Sequence, residues 1–260
     1  MDLGLNGKVA IVGASSKGLG KASALALAHE GARVTICARN GADLQAAADE
    51  IRRETRSEVL AVPADLAKAE DIHGVVAATV EQFGGVDVLV NNSGGPPLGS
   101  FPDLSDDDWR HAFEGLTLNF VRFVREVLPY MHEKRWGRII GIQSTSVKQP
   151  VENIDLSNGI RPGIAGLMKA IMPRLARDGI TINLVLPGMF LTSRILGRLP
   201  GGAEEVDRAV EAQIAAAVPM GRLGRPVELG HLVAFLASEQ AAYITGAVYQ
   251  IDGGAIRSNV

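Results

Sequence analysis

The strongest constraint on the fold of this 260-residue chain lies near its N-terminus. An unbroken apolar run, Val9-Ala10-Ile11-Val12, is followed by Gly13-Ala14-Ser15-Ser16-Lys17-Gly18-Leu19-Gly20 and then by a helical stretch, Lys21–Glu30. A short strand without polar alternation is buried on both faces, which is the situation of a parallel sheet. The small residues after it allow a sharp turn, and the helix that follows presents unpaired N–H groups at its start. Further strands are expected at Arg33–Cys37, Val59–Val62, Val86–Val90, Arg138–Ile142 and Thr181–Val185, with a helix over about Ala42–Glu54. Alternation of this kind predicts an α/β, Rossmann-like doubly wound parallel sheet of about seven strands, with helices on both faces.

No composition break or linker divides the chain, so residues 1–260 are expected to form one domain. Its formal charge of −3 provides no basic field for nucleic acid or anionic lipid. No apolar run reaches membrane-spanning length, and the start of the chain lacks the basic and apolar blocks of a signal peptide. A single cysteine, Cys37, precludes an internal disulfide. The expectation is a cytoplasmic protein with no metal site and no nucleic-acid or membrane partner.

Two helices read as more than sheet cover. Trp109, Phe113, Leu116, Phe120, Val124 and Val127 recur at helical spacing and predict a core-facing stripe. The stretch Ile164–Leu175 is apolar on more than one side, which hints at a subunit interface.

A glycine-rich turn between a buried strand and a helix is a phosphate cradle, because bare backbone can approach a pyrophosphate and the helix N-terminus favours negative charge. The turn residues Gly13, Ser15, Ser16, Lys17, Gly18, Leu19 and Gly20 are therefore candidate dinucleotide contacts. The second strand ends Cys37-Ala38-Arg39-Asn40, with no acid where an NAD enzyme would hold the ribose 2′-hydroxyl. Arg39 and Lys17 instead suit a 2′-phosphate, so NADP(H) is the expected cofactor, with NAD(H) the alternative.

With these motifs in order, the sequence resembles the short-chain dehydrogenase/reductase family, nearest to its 3-oxoacyl-acyl-carrier-protein reductase-like members, over Lys8 to Gly254. The turn matches the family's Thr-Gly-x-x-x-Gly-x-Gly, with Gly13 for threonine, Ala14 for the first glycine, and Gly18 and Gly20 in place. The resemblance implies that Asp65 bonds the adenine amine. It further implies that Asn92 and Gly94, within Asn91-Asn92-Ser93-Gly94, border the adenosine ribose, and that Pro187, Gly188 and Thr192 grip the nicotinamide carboxamide. Ile251-Asp252-Gly253-Gly254 is similar to the C-terminal signature. Assembly as a homotetramer or dimer is implied in the same way.

The family's asparagine, serine, tyrosine and lysine are not all present. Ser144 stands after the strand Arg138–Ile142, where the family's serine orients a substrate carbonyl. The tyrosine and lysine positions hold Ser157 and Arg161, and the asparagine position holds Leu116. Tyr130 and Lys134 have the family's spacing but precede the fifth strand, as the end of a helix with a snorkelling lysine would. A serine hydroxyl is a far weaker acid than a phenol and shorter by a ring, while an arginine keeps its charge and can still hydrogen-bond a ribose. Ser144, Ser157 and Arg161 are the candidate catalytic groups, and Lys148 is an alternative proton donor whose pKa desolvation would lower. Asn119, one turn after Leu116, could partly replace the missing amide. Asn158-Gly159 and Pro162-Gly163 read locally as turns, so the helix here is expected to start late or to kink.

The leading functional expectation is an NADP(H)-dependent oxidoreductase acting on a carbonyl or alcohol with a non-standard proton donor. The alternatives are a silent dinucleotide-binding scaffold, sensor or partner subunit, and an enzyme of another reaction class in the same pocket. The apolar residues Met189, Phe190, Leu191, Ile195 and Leu196 suggest an apolar small-molecule substrate, and Pro200-Gly201-Gly202 a mobile lid.

Overall fold

A computed structural model describes residues 2–196 and 215–258. The proposed lid at Pro200-Gly201-Gly202 lies outside the described residues. Seven parallel strands form one sheet in the order β3-β2-β1-β4-β5-β6-β7. They are β1 (Val9–Val12), β2 (Arg33–Ala38), β3 (Val59–Pro63), β4 (Val88–Asn91), β5 (Gly137–Ile142), β6 (Ile180–Pro187) and β7 (Val248–Ile251). The helices include α1 (Gly18–His29), α2 (Gly41–Thr55), α3 (Ala69–Phe83), α4 (Asp106–Phe113), α5 (Asn119–Lys134), α6 (Asp155–Ala176) and α7 (Pro226–Ala237).

Period-two alternation divides the strand side chains between two cores. Ala10, Val12, Val88, Val90, Ile140 and Ile142 face the core capped by α1, α2 and α7. Ile11, Leu89, Ile139, Ile182 and Leu184 face the one capped by α3, α5 and α6. Each large side chain so buried stabilises the fold by about 1.5–3 kcal/mol. Close helix packing needs a missing side chain in places: a Cβ on Gly230 of α7 would lie 2.6 Å from the Ala22 carbonyl of α1. The strand order reverses between β1 and β4, so the loops after these two strands diverge and leave a crevice at their C-terminal ends.

Two local expectations are corrected. The long stripe through Trp109–Leu128 is split by a π-helical turn, Glu114–Leu118, between α4 and α5. A π turn adds a residue to the repeat and shifts its phase. Leu116, Phe120, Val124 and Val127 reach the core, whereas Phe113 stays 47% exposed. The second correction concerns α6, which neither starts late nor breaks, but runs from Asp155 through Pro162 and Pro173 to Ala176. Leu156, Ile160, Ile164, Met168 and Leu175 form a buried stripe along it, and their burial outweighs the backbone bond each proline forfeits. Its first turn is also tied down from outside, because Asn158 Nδ2 donates to the Val151 carbonyl while Asn158 Oδ1 accepts from the Val151 N–H.

Candidate active site

The glycine turn sits at the crevice with its backbone pressed against β4. A Cβ on Gly13 would lie 2.4 Å from the Asn92 carbonyl, and one on Gly20 would lie 2.3 Å from the Ala14 carbonyl. Asn92 Nδ2 donates to the carbonyls of Gly13 and Ala14, both at 3.2 Å, and so holds the turn closed. Ala14 takes a φ of +44° and Gly18 a φ of +57°. The N-terminus of α1 has no side-chain cap. Its free N–H groups and the missing Cβ atoms fit the pyrophosphate of a dinucleotide.

Two clefts meet at this turn. The first, of about 430 Å³, is lined by Ser16, Lys17, Arg39, Asp65, Leu66 and His111 among others. Arg39 is exposed on its wall, while the Lys17 ammonium pairs with Asp43 Oδ2 at 2.9 Å. Asp65 Oδ1 accepts from the Ala67 N–H at 3.2 Å. The second cleft, of about 700 Å³, runs from Gly18 and Asn92 past Ser144, Ser157 and Arg161 to Pro187, Gly188 and Thr192. Leu98, Val151, Met189 and Ile195 give it apolar surface, next to the polar Gln149, Glu152 and Asn153.

Ser157 and Arg161, four residues apart on α6, lie on one face and are each only 4% exposed. Arg161 Nε donates to Ser157 Oγ at 3.0 Å, its Nη1 to Gln143 Oε1 at 2.8 Å, and its Nη2 to the Gly94 carbonyl at 3.2 Å. The guanidinium therefore bolts α6 to the end of β5 and to the loop after β4. Ser157 Oγ also lies 3.0 Å from Ser146 Oγ, and Ser144 Oγ accepts from the Ser146 N–H at 3.2 Å. The result is a buried positive charge behind two hydroxyls that line the cleft. Such an arrangement stabilises negative charge on an oxygen, and neither serine is an acid comparable to a phenol; the carboxyl-bearing Glu152 lines the same cleft.

The structure thus gathers Ser144, Ser157, Arg161, Asn92, Gly94, Pro187, Gly188 and Thr192 around one cleft, and Ser16, Lys17, Arg39 and Asp65 around the other, with Lys17 and Gly94 shared. Leu19 lines the second cleft, whereas Gly13 and Gly20 act through close backbone packing. Ser15 differs: its hydroxyl is fully buried, donates to the Val12 carbonyl at 2.7 Å and accepts from the Cys37 N–H at 3.1 Å, so it ties the turn to β2. Lys148 lines neither cleft, since the 3-10 turn Thr145–Val147 presents Thr145 and Gln149 instead. Asn119 does not stand in for the missing amide. Its Oδ1 accepts from Asn91 Nδ2 at 2.6 Å and its Nδ2 donates to the Leu66 carbonyl at 2.8 Å, inside the core. Tyr130 and Lys134 close α5, where the Lys134 ammonium pairs with Asp87 at 2.7 Å. Among the described residues no tyrosine lines either cleft. Sequence reasoning missed Gln143 and Ser146. The one available signal was a glutamine directly after an apolar strand, next to the serine of interest.

Known proteins bear on this geometry. A family model described as Enoyl-(Acyl carrier protein) reductase matches residues 13–255. The 3-oxoacyl-[acyl-carrier-protein] reductase of Vibrio cholerae is 34% identical over 97% of this chain and 98% of its own. The L-sorbose reductase of Gluconobacter frateurii, solved with NADPH and L-sorbose, superposes with a TM-score of 0.92 at 31% identity, covering 99% of this chain and 100% of that one. A short-chain oxidoreductase from Pseudomonas aeruginosa, described as containing an atypical catalytic center, superposes with a TM-score of 0.91 at 28% identity, covering 98% of this chain and 99% of the other. The seven-stranded sheet, the glycine turn and these likenesses together make the chain a member of the short-chain dehydrogenase/reductase family.

Proposed function

We propose that the protein is an NADP(H)-dependent oxidoreductase that interconverts a carbonyl and an alcohol in the second cleft. Ser157 and Arg161 replace the usual phenol and amine beside Ser144. The observation that carries this reading is the buried Arg161, hydrogen-bonded at 3.0 Å to a hydroxyl that lines the cleft beside Ser144. The glycine turn would receive the pyrophosphate, Asp65 the adenine, and Arg39 with Lys17 the 2′-phosphate; Pro187, Gly188 and Thr192 would border the nicotinamide. When bound, the nicotinamide supplies or accepts the hydride. Ser144 and Ser157 hold the substrate oxygen, Arg161 offsets the charge that develops there, and water delivers the proton that a serine is too weak an acid to give. The apolar surface of Leu98, Val151, Met189 and Ile195 favours a substrate with an apolar body. The NADPH-bound sorbose reductase supports the choice of cofactor.

The test has two arms. Calorimetry with NADPH and NADH measures binding, and loss of reduced-nicotinamide absorbance against a panel of ketones and aldehydes measures turnover. Binding of NADPH with turnover is expected, and failure to bind either dinucleotide overturns the reading. Binding without turnover, reversed by the double substitution Ser157→Tyr and Arg161→Lys, would make the natural protein a silent binder.

A further inference from the structure

Ser146 is 3% exposed, lines neither cleft, and has no place in the family's catalytic set. We infer that it is a positioning residue, one that fixes the hydroxyls of Ser144 and Ser157 as paired donors to an oxyanion in the second cleft. The inference rests on the reading that the reaction takes place in that cleft.

The direction of the hydrogen bonds follows from which hydrogens have somewhere else to go. A buried hydroxyl hydrogen without an acceptor costs about 1–3 kcal/mol. Among the described residues the hydrogen-bond partner of Ser146 Oγ is Ser157 Oγ at 3.0 Å, where either hydroxyl could be the donor, and Ser146 does not line the cleft. Ser157 Oγ, in contrast, lines the cleft. Ser146 is therefore the donor. Ser157 Oγ then accepts twice, from Ser146 and from Arg161 Nε, so both its lone pairs are used and its own O–H must project into the cleft. The same residue acts on Ser144 through its backbone, because the Ser146 N–H donates to Ser144 Oγ at 3.2 Å. The Ser144 hydrogen has no protein acceptor among the described residues, so it too is available to a ligand. Hydroxyls that accept from charged or backbone donors are polarised to donate more strongly. Two such hydroxyls lining one cleft suit an enolate or phenolate oxygen better than a neutral alcohol.

A spectroscopic probe tests this without catalysis. para-Nitrophenol ionises near neutrality and turns yellow when it does, so absorbance reports whether the protein holds it as phenol or phenolate. The titration is run with and without saturating NADP. The expected result is binding with the phenolate-to-phenol ratio raised about tenfold over free solution, the size of one charge-backed hydrogen bond. Ser157→Ala should abolish the rise, Ser146→Ala should remove most of it while leaving NADP binding unchanged, and Ser146→Thr should restore it. Should Ser146→Ala fail to fold, Ser146→Cys, close in size but a much weaker donor, takes its place and should likewise lose most of the shift. No binding, binding without the colour shift, or an undiminished shift in either Ser146→Ala or Ser157→Ala overturns the inference. A shift that persists where no dinucleotide binds would keep the oxyanion site and refute the oxidoreductase reading instead.

Discussion

Replacing Arg161 with methionine keeps an unbranched side chain of similar reach and removes the guanidinium. Three acceptors then lose their donor inside the protein: Ser157 Oγ at 3.0 Å, Gln143 Oε1 at 2.8 Å and the Gly94 carbonyl at 3.2 Å. An orphaned buried acceptor costs about 1–3 kcal/mol, so three of them set a lower end of about 3 kcal/mol. The cost of dehydrating the guanidinium disappears with it, and Ser157 can still be served by Ser146. The lower end, about 3 kcal/mol, is therefore expected. For a chain this long each kcal/mol moves the melting temperature by about 2–4 °C, which predicts a drop of about 6–12 °C. Arg161→Lys keeps the charge but not the planar fork, so it should lose about 1–2 kcal/mol. Urea unfolding followed by far-ultraviolet circular dichroism, on dinucleotide-free protein at fixed concentration, gives both values directly. If both variants unfold within about 0.5 kcal/mol of the parent, the guanidinium does not hold α6 to β5 and the loop after β4, and the argument fails.

Three other outcomes are expected. Gly20→Ala places a Cβ 2.3 Å from the Ala14 carbonyl and 2.8 Å from Asn92 Nδ2, so it should cost about 1–3 kcal/mol and abolish dinucleotide binding in calorimetry. Arg39→Ala removes a cation from the wall of the first cleft. It should weaken NADPH about tenfold or more, leave NADH unchanged, and lose its effect at high salt. Glu228 caps α7 by accepting from the Arg225 N–H and pairs with Arg222, whose hydrogen bond is the main reason its pKa falls to about 2. A carboxylate lowered in this way stabilises the fold above its unfolded pKa, and that contribution is lost as the pH falls through about 2. Because the pair is exposed, Glu228→Gln should cost less than about 1 kcal/mol at neutral pH, with the gap closing in acid-unfolding curves between the ordinary carboxylate range and about pH 2.

Much of the scaffold was legible because it depends on short-range pattern. Val9–Val12 has to be buried on both faces, and Gly13 to Gly20 has to turn, so strand, cradle and helix follow from local chemistry. Legibility failed where one local preference competed with tertiary packing. Asn158-Gly159 and Pro162 look like a turn, yet the buried stripe of Leu156, Ile160 and Ile164 keeps them helical. Phe113 shares a period with Phe120 in sequence, but the π turn between them removes it from the core. Side-chain partners were the least legible layer. That Ser15 turns inward to Val12 and Cys37, or that Lys17 meets Asp43 across a helix start, depends on contacts that spacing cannot encode.

On the proposed function, Leu116, Ser157 and Arg161 make better sense as one change than as three. In the family pattern the asparagine, tyrosine and lysine together move a proton toward the substrate oxygen. Here Leu116 offers no polar atom, and the nearest amide, Asn119, is fully engaged with Asn91 and the Leu66 carbonyl. A serine at 157 cannot act as the acid, and an arginine at 161 does not release its proton. What survives is the electrostatic half of the arrangement: a buried cation, 3.0 Å from a hydroxyl, beside a second hydroxyl held by backbone. Arg161 is 4% exposed and anchored to Gln143 and Gly94, and a charge so buried is costly unless its hydrogen bonds are satisfied. On the proposed function, a site that keeps charge stabilisation without the phenol is suited to a reaction whose oxygen is held as an anion and whose proton comes from a source other than position 157.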